Sequence, residues 1–355
     1  MRAFNSLVHS RGPFHLPVAT DGSAASSSSR WVTPGLALAA LVVVATRVLA
    51  RQVAPWEWDD LVFSLALDIF APQSQVPQPP FYPGFVFLGR LVRLIAVDNH
   101  AALTWLSVIA SSVVPVFCFF VATGFGFSRR VSMTAAGLLA FFPAVWFHSG
   151  VPLSDPAGLA ASLGAMALGL RANRSPRTAL AAAAALGIAV SIRPQSALPA
   201  VIGLAISVSS LTRRQKLGIA AAAVTSVGLL YVTPIVIAAR GLSGVVNWTA
   251  YQASFVLDHD SLAAHHWAIP FMLRRYLVDI WAYPALAIVV LAFSVVGGMR
   301  IWEEPRRKTL GALLVVFLPY ALLSWTFLDC PALGGVKPPA SSRKLRAFSL
   351  VASVG

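Results

Sequence analysis

Pro55-Trp56-Glu57-Trp58-Asp59-Asp60 sets three carboxylates within four residues of a chain that holds only 13 Asp and Glu among 355 residues. A long apolar run precedes it, and a Leu-, Val- and Phe-rich stretch follows. Tryptophan favours the membrane–water boundary, so these carboxylates are expected at that level. Two adjacent side chains cannot both enter one small site. One reading makes one of them a general base. The other then caps the following helix, whose N-terminal dipole favours an anion. In the plainer reading both are caps.

Composition points the same way. The chain is 57% hydrophobic and 11% charged, with a mean hydropathy of +0.74. Soluble domains carry about 25% charged residues. The net charge of +14 sits mostly in short clusters between apolar runs, as in loops facing anionic lipid. No separate basic face exists to bind nucleic acid. The two cysteines, Cys118 and Cys330, make no disulfide framework or zinc spacing. The expected fold class is an all-α polytopic membrane protein with membrane lipids as its surroundings.

Residues 1–30 are small and polar and read as a disordered cytoplasmic tail. A transmembrane domain is expected over 31–327, with external loops at 51–101 and 240–275, followed by an atypical tail at 328–355. Spans are expected at about 31–50, 102–124, 131–147, 155–171, 178–192, 195–211, 217–239, 276–298 and 309–327. The pair meeting at Arg193-Pro194 reads as a tilted or partly re-entrant hairpin. Within the first loop, Leu61, Leu65 and Ile69 repeat every four residues and predict an amphipathic helix. Pro77-Gln78-Pro79-Pro80-Phe81-Tyr82-Pro83 has four prolines in seven residues and cannot be helix interior. It reads as a stiff strap. Residues 85–95, with Arg90 and Arg93 among apolar side chains, suit an interfacial helix.

Charge then orients the chain. With the N-terminus cytoplasmic, the inside connections carry Arg129-Arg130, Arg171/Arg174/Arg177, Arg213-Arg214/Lys216 and the basic residues of 299–308. The connection at 148–154 carries no Lys or Arg. This follows the positive-inside rule. Asp59, Asp60, Asp155, Arg193 and the 240–275 loop all fall on the non-cytoplasmic side.

Several further residues are candidates. Asp155, in Ser154-Asp155-Pro156, is either a second acidic group of the site or a helix start. Arg193 ends an apolar segment, as a snorkelling side chain or a phosphate ligand. Arg274-Arg275 is a phosphate-binding pair or a flanking basic pair. His148 reads as an interfacial histidine. Asp258-His259-Asp260 and His265-His266 are competent metal ligands with no recognised metal spacing; no cofactor is expected, and a divalent metal stays open. Asn247-Trp248-Thr249 fits a glycosylation sequon. No glycine-rich phosphate loop, nucleophile elbow or HExxH stretch occurs.

The order of these features resembles the GT-C glycosyltransferases, specifically the dolichyl-phosphate-mannose–protein mannosyltransferase-like branch (family 39, ArnT-like). Trp58-Asp59-Asp60-Leu61-Val62-Phe63-Ser64-Leu65-Ala66 is similar to that family's acidic pair at the opening of the first external loop. Gln78-Pro79-Pro80-Phe81-Tyr82-Pro83-Gly84-Phe85 is similar to its Pro-Pro-x-Tyr-Pro segment. Ser154-Asp155-Pro156 and the later Arg193-Pro194 resemble its acidic-Pro and Arg-Pro positions. The resemblance runs over roughly 31–240 and fades after about 327, which implies a C-terminal portion cut short.

The resemblance implies a GT-C-like helix bundle that transfers a sugar, with inversion, from a polyprenyl-phosphate donor. The acceptor would be a lipid, glycan or protein. It implies Asp59 as base, Asp60 as its neighbour, Asp155 on the acceptor side, and Tyr82, Arg193, Arg274 and Arg275 as substrate-binding. High Ala, Arg and Val content points to a bacterial plasma membrane, with the site facing outside. A transporter or flippase and an inactive membrane subunit are the alternatives.

Overall fold

The structure, a computed structural model, describes residues 29–55, 57–172, 175–209, 211–259, 274 and 284–303. The described residues are all-helical. Their one β feature is an isolated antiparallel bridge between Ala71 and Val76. The helices are α1 (Ser29–Leu49), α2 (Trp58–Asp68), α3 (Pro83–Arg93), α4 (Asn99–Gly124), α5 (Arg129–Ala140), α6 (Pro143–His148), α7 (Ser154–Arg171), α8 (Pro176–Ile192), α9 (Leu198–Val208), α10 (Arg213–Val227), α11 (Thr233–Ala238), α12 (Leu242–His259) and α13 (Pro284–Glu303). Among the described residues, two helices are long and apolar enough to cross a membrane, Asn99–Gly124 and the continuous Arg213–Ala238. At 1.5 Å per residue each is about 39 Å long. Shorter apolar helices accompany them at Ala37–Leu49, Pro176–Ile192, Pro194–Val208 and Pro284–Gly297.

Proline explains where the helices depart from the expected spans. The 131–147 run is two helices, because Pro143 has no N–H to continue the ladder. The gap is closed by a distant residue: Arg47, fully buried on α1, donates from Nη2 to the Ala140 carbonyl at 2.8 Å. Pro234 acts similarly inside Arg213–Ala238. Its missing N–H is accommodated by a π-helical turn over Gly228–Val232, closed by Thr233 N–H on the Gly228 carbonyl. Within the expected 240–275 external loop, Leu242–His259 forms helix α12. The span expected at 309–327 and the His265-His266 pair lie outside the described residues, as do both expected tails except for Ser29 and Arg30.

Among the described residues, two large cores and a smaller one around Phe125, Met166 and Ile202 hold the bundle. Phe63, Tyr82, Phe85, Leu103, Val114, Ala157 and Ile192 join α2, the strap and α3 to α4, α7 and α8. A second core, made mostly of alanine, joins α7, α8, α9 and α10. Small residues set the spacing there. A Cβ on Gly203 would lie 2.6 Å from the Met166 Cα, and one on Gly169 would collide with the Gly203 backbone. Such close approach is how helices associate where lipid replaces water. Several hydroxyl side chains are buried beside these apolar cores, and many large aliphatic side chains stand on the surface. Ser107, Ser111, Ser162 and Ser207 are buried, while Leu41, Ile109, Leu138, Val224 and Ile237 are exposed.

The ends of the bundle differ chemically. Near the start of α4, Ser107 Oγ donates to the Leu153 carbonyl just before α7. Near its end, Gly124 abuts Leu170, and Arg171 lies over the Phe120 ring at 3.9 Å. Helices α4 and α7 therefore run parallel. Their C-terminal end carries the Arg171 connection, and their N-terminal end carries Asp155. Helix α8 returns antiparallel to α7, because Gly158 abuts Arg193 just past the end of α8.

Candidate functional site

Asp59 and Asp60 occupy the first turn of α2, and the structure sends them opposite ways. Asp60 is fully buried. Its Oδ2 accepts from the Glu57 N–H at 3.4 Å and from Gln52 Nε2 at 2.9 Å. It closes the helix start and ties α2 to the segment after α1. Asp59 is half-buried and turns toward the strap, where its Oδ1 accepts from Gln78 Nε2 at 2.6 Å. The buried face of α2 is Val62, Phe63, Ala66 and Leu67. The expected stripe differs: Leu61 and Ile69 are exposed. The i, i+4 pair that matters is Asp59 and Phe63. The two share one face of the helix, and the Phe63 ring meets Tyr82 edge-on at 5.2 Å.

The strap is held from several sides. Ala71 and Val76 exchange backbone bonds of 2.7 and 3.1 Å just before it. The Gln78 carbonyl accepts from Phe81 N–H at 2.9 Å. Tyr231, on the π-helical turn, donates its hydroxyl to the Pro80 carbonyl at 3.2 Å. Phe81 and Tyr82 then take positive φ of 71° and 47°, a region that costs a side-chain-bearing residue roughly 1–2 kcal/mol. Burial of both rings offsets that strain. Pro83 follows at the first turn of α3, where its fixed φ suits a helix start. Gly84 lets α3 approach α8, since a Cβ there would strike Ser191.

Asp155 and Arg193 meet across α7 and α8. The Arg193 stem lies over Gly158, whose missing Cβ leaves room for it. Arg193 Nη1 donates to Asp155 Oδ2 at 2.9 Å and to Ser154 Oγ at 2.6 Å. The pair is partly open, with 23% of the Arg193 and 42% of the Asp155 side chain exposed. Arg193 also stands 6.0 Å from the centre of the Tyr82 ring, at the limit of a cation–π contact. Gln195 Nε2 donates to the Tyr82 hydroxyl at 3.3 Å.

These groups act on one another. Burial pushes the Asp59 carboxyl above the ordinary carboxylate range. The Gln78 hydrogen bond opposes that, the Asp155 and Asp60 charges add to it, and Arg193 opposes it again. Burial also raises the Tyr82 phenol, against Arg193 and Gln195. Asp59 is thus a carboxylate with heightened proton affinity beside a neutral amide donor and an arginine already paired to another carboxylate.

The structure therefore brings Asp59, Asp155, Arg193 and Tyr82 together. Asp60 stands behind them, buried in its capping role. Arg274 is exposed and is not among the charges that bear on Asp59. Arg275 lies outside the described residues. His148 holds Nδ1 2.7 Å from the Ala144 carbonyl and packs edge-on against Phe147. Among the described residues, no three His, Cys, Asp or Glu side chains gather as a metal site would.

Gln78, Gln195, Ser154 and Tyr231 join the cluster without having been singled out. The two glutamines carry no charge to draw attention, although both flank prolines in the quoted motifs. Tyr231 is one of several hydroxyls in a long apolar run, with Thr225, Ser226 and Thr233, and only its bond to the Pro80 carbonyl sets it apart. The chain matches no protein-family model, and comparison with curated proteins and with solved structures gives no match.

Proposed function

We propose that this chain is a multi-pass membrane glycosyltransferase with a GT-C-like helical architecture. It takes a sugar from a polyprenyl-phosphate donor and passes it to a hydroxyl or amine acceptor on the non-cytoplasmic face. The observation that carries this reading is the convergence of Asp59, the Asp155–Arg193 pair and Tyr82 at one end of the bundle. The Arg171 connection lies at the other end. Exposed aliphatic side chains around buried serines support a lipid-facing bundle.

The chemistry balances without a nucleotide or a strong acid. The bond from sugar C1 to phosphate oxygen breaks, and a bond from C1 to the acceptor oxygen or nitrogen forms from the opposite face, so configuration inverts. The acceptor proton passes to Asp59, whose raised proton affinity suits a general base. The electron pair leaves on a phosphate, which is already a good leaving group. Arg193, held by Asp155 and Ser154, stabilises that charge. Tyr82 and the two glutamines offer uncharged hydrogen-bonding groups of the kind sugar hydroxyls pair with. A transporter reading would call on the buried cation Arg47. That side chain is bonded to Ser111 and to the Val43 and Ala140 carbonyls, which assigns it to holding helices together.

The test is transfer of labelled sugar from polyprenyl-phosphate carriers in membranes expressing the chain, beside Asp59→Asn. The variant is expected to lose on the order of 10²–10⁴-fold in rate. Wild-type transfer should fall on acidification through a pH above the usual carboxylate range, where Asp59 gains its proton. Full activity in Asp59→Asn rejects the site.

A further inference from the structure

The cluster contains two carboxylates and one arginine within mutual reach, and the arginine is taken. Asp155 holds Arg193 Nη1 at 2.9 Å. Asp59 feels the same guanidinium but has no bond to it among the described contacts; its bonded partner is Gln78. A carboxylate on the first turn of a helix has rotamers to choose from, and a nearby cation is a strong attractor. Something must keep Asp59 from turning toward Arg193 and neutralising the charge meant for another ligand.

We propose that Gln78 is the positioning residue of this site: its amide, 2.6 Å from Asp59 Oδ1, fixes the carboxylate so that its second oxygen is presented to an incoming proton donor. The backbone beneath Gln78 is suited to that task. It is pinned by the Ala71–Val76 bridge on one side, by its own carbonyl accepting from Phe81, and by Tyr231 on the Pro80 carbonyl two residues on. The donor thus comes from a segment locked to the second long apolar helix, while the acceptor comes from α2. Neither element alone sets the angle of the carboxylate.

The choice of an amide also has chemical consequences. A lysine here would compete with Arg193 and pull Asp59 fully into an ion pair. A carboxylate would share a proton with it. A neutral N–H donor stabilises the ionised form modestly and leaves it able to accept a proton. The groups facing Asp59 are then Asp60 on its own helix, Gln78 on the strap, and Asp155 and Arg193 from α7 and the end of α8. Two of these charges raise its proton affinity and one lowers it, and Gln78 is the one neutral donor among them, so loss of that donor is not masked by a stronger bond.

The role of Asp59 as base rests on the proposed transferase reading, but the positioning by Gln78 does not. The experiment separates them. A hydrophobic carbodiimide reacts with protonated carboxyls, and peptide mass spectrometry reads modification of Asp59 against pH in membranes of the full chain. Gln78→Met keeps the length and shape of the side chain and removes the N–H. Gln78→Asn keeps the amide but withdraws it by one methylene. Both variants are expected to move the Asp59 midpoint to higher pH, with Gln78→Met moving it further. In the transfer assay the acidic limb should move in the same direction. The rate constant should fall about tenfold, as loss of one hydrogen bond to a charged group implies, with the donor KM unchanged.

An unmoved midpoint in a folded Gln78→Met protein overturns the positioning role. Should that variant fail to accumulate in membranes, an unmoved midpoint in Gln78→Asn does so instead. A shifted midpoint in a chain that transfers no sugar upholds the positioning role and rejects the transferase.

Discussion

At the residue scale, the decisive event is that neighbours Asp59 and Asp60 part company. Asp60 points into the protein and closes a helix start; Asp59 turns toward Gln78 on the strap, where burial makes it keep a proton more tightly than a free carboxylate. That affinity carries a stability cost with a definite sign. An Asp whose folded pKa is raised lets the unfolded chain release its proton first as pH climbs, so stability falls between the unfolded and folded values. At neutral pH the ionised Asp59 is therefore a liability. Asp59→Asn is expected to melt at a higher temperature than wild type at pH 7 in detergent, and the gain should vanish below about pH 3.9, the ordinary Asp value. A variant less stable than wild type at pH 7 would show that the carboxylate serves the fold. The sequence announced this pair by density of charge. It did not announce Gln78 or Gln195, because an uncharged amide beside prolines looks like any loop residue until a partner is seen.

At the element scale, the helices were legible wherever a long apolar run met a basic connection, and illegible wherever proline or glycine acted at a distance. The expected spans at 155–171 and 178–192 fall on α7 and α8. The break at Pro143 was missed because the run stays apolar through it, and the group that makes the break tolerable is Arg47, far away in the chain. Helix α12 was missed because polar residues near Asp258 gave 240–275 the look of a loop. Glycines divide just as sharply by position. Gly203 sits against the Met166 backbone, so Gly203→Val must push α9 off α7. Overpacking of this kind typically costs about 1–3 kcal/mol. Gly218 on α10 has open space around its Cβ position, so Gly218→Ala gains up to about 1 kcal/mol of helix propensity. Thermal unfolding of the two variants in detergent should move in opposite directions. Equal losses would mean that α10 is as tightly packed at Gly218 as α9 is at Gly203.

At the scale of the whole molecule, one end of the bundle gathers acidic and hydroxyl-bearing groups and the other carries the arginine of the Arg171 connection. The polarity follows from helix direction: parallel α4 and α7 begin at the Asp155 end, and antiparallel α8 returns the chain to Arg193. On the proposed membrane reading, a basic end stays cytoplasmic, and the Asp59 cluster would then face outside. The two native cysteines, Cys118 and Cys330, can be replaced by serine, and single cysteines introduced at Glu57, Gln195, Arg130 and Thr212. All four positions are exposed. A membrane-impermeant maleimide applied to intact cells is expected to label Glu57→Cys and Gln195→Cys. It should reach Arg130→Cys and Thr212→Cys only after permeabilisation. Glu57 lies just before α2 and Gln195 just after α8, so labelling of one without the other would break the shared face on which the candidate site depends. Labelling of all four in intact cells would reject a membrane-crossing bundle, and with it the reason for a lipid-linked donor. The labelling pattern is thus decided by helix direction alone and does not depend on whether any sugar is transferred.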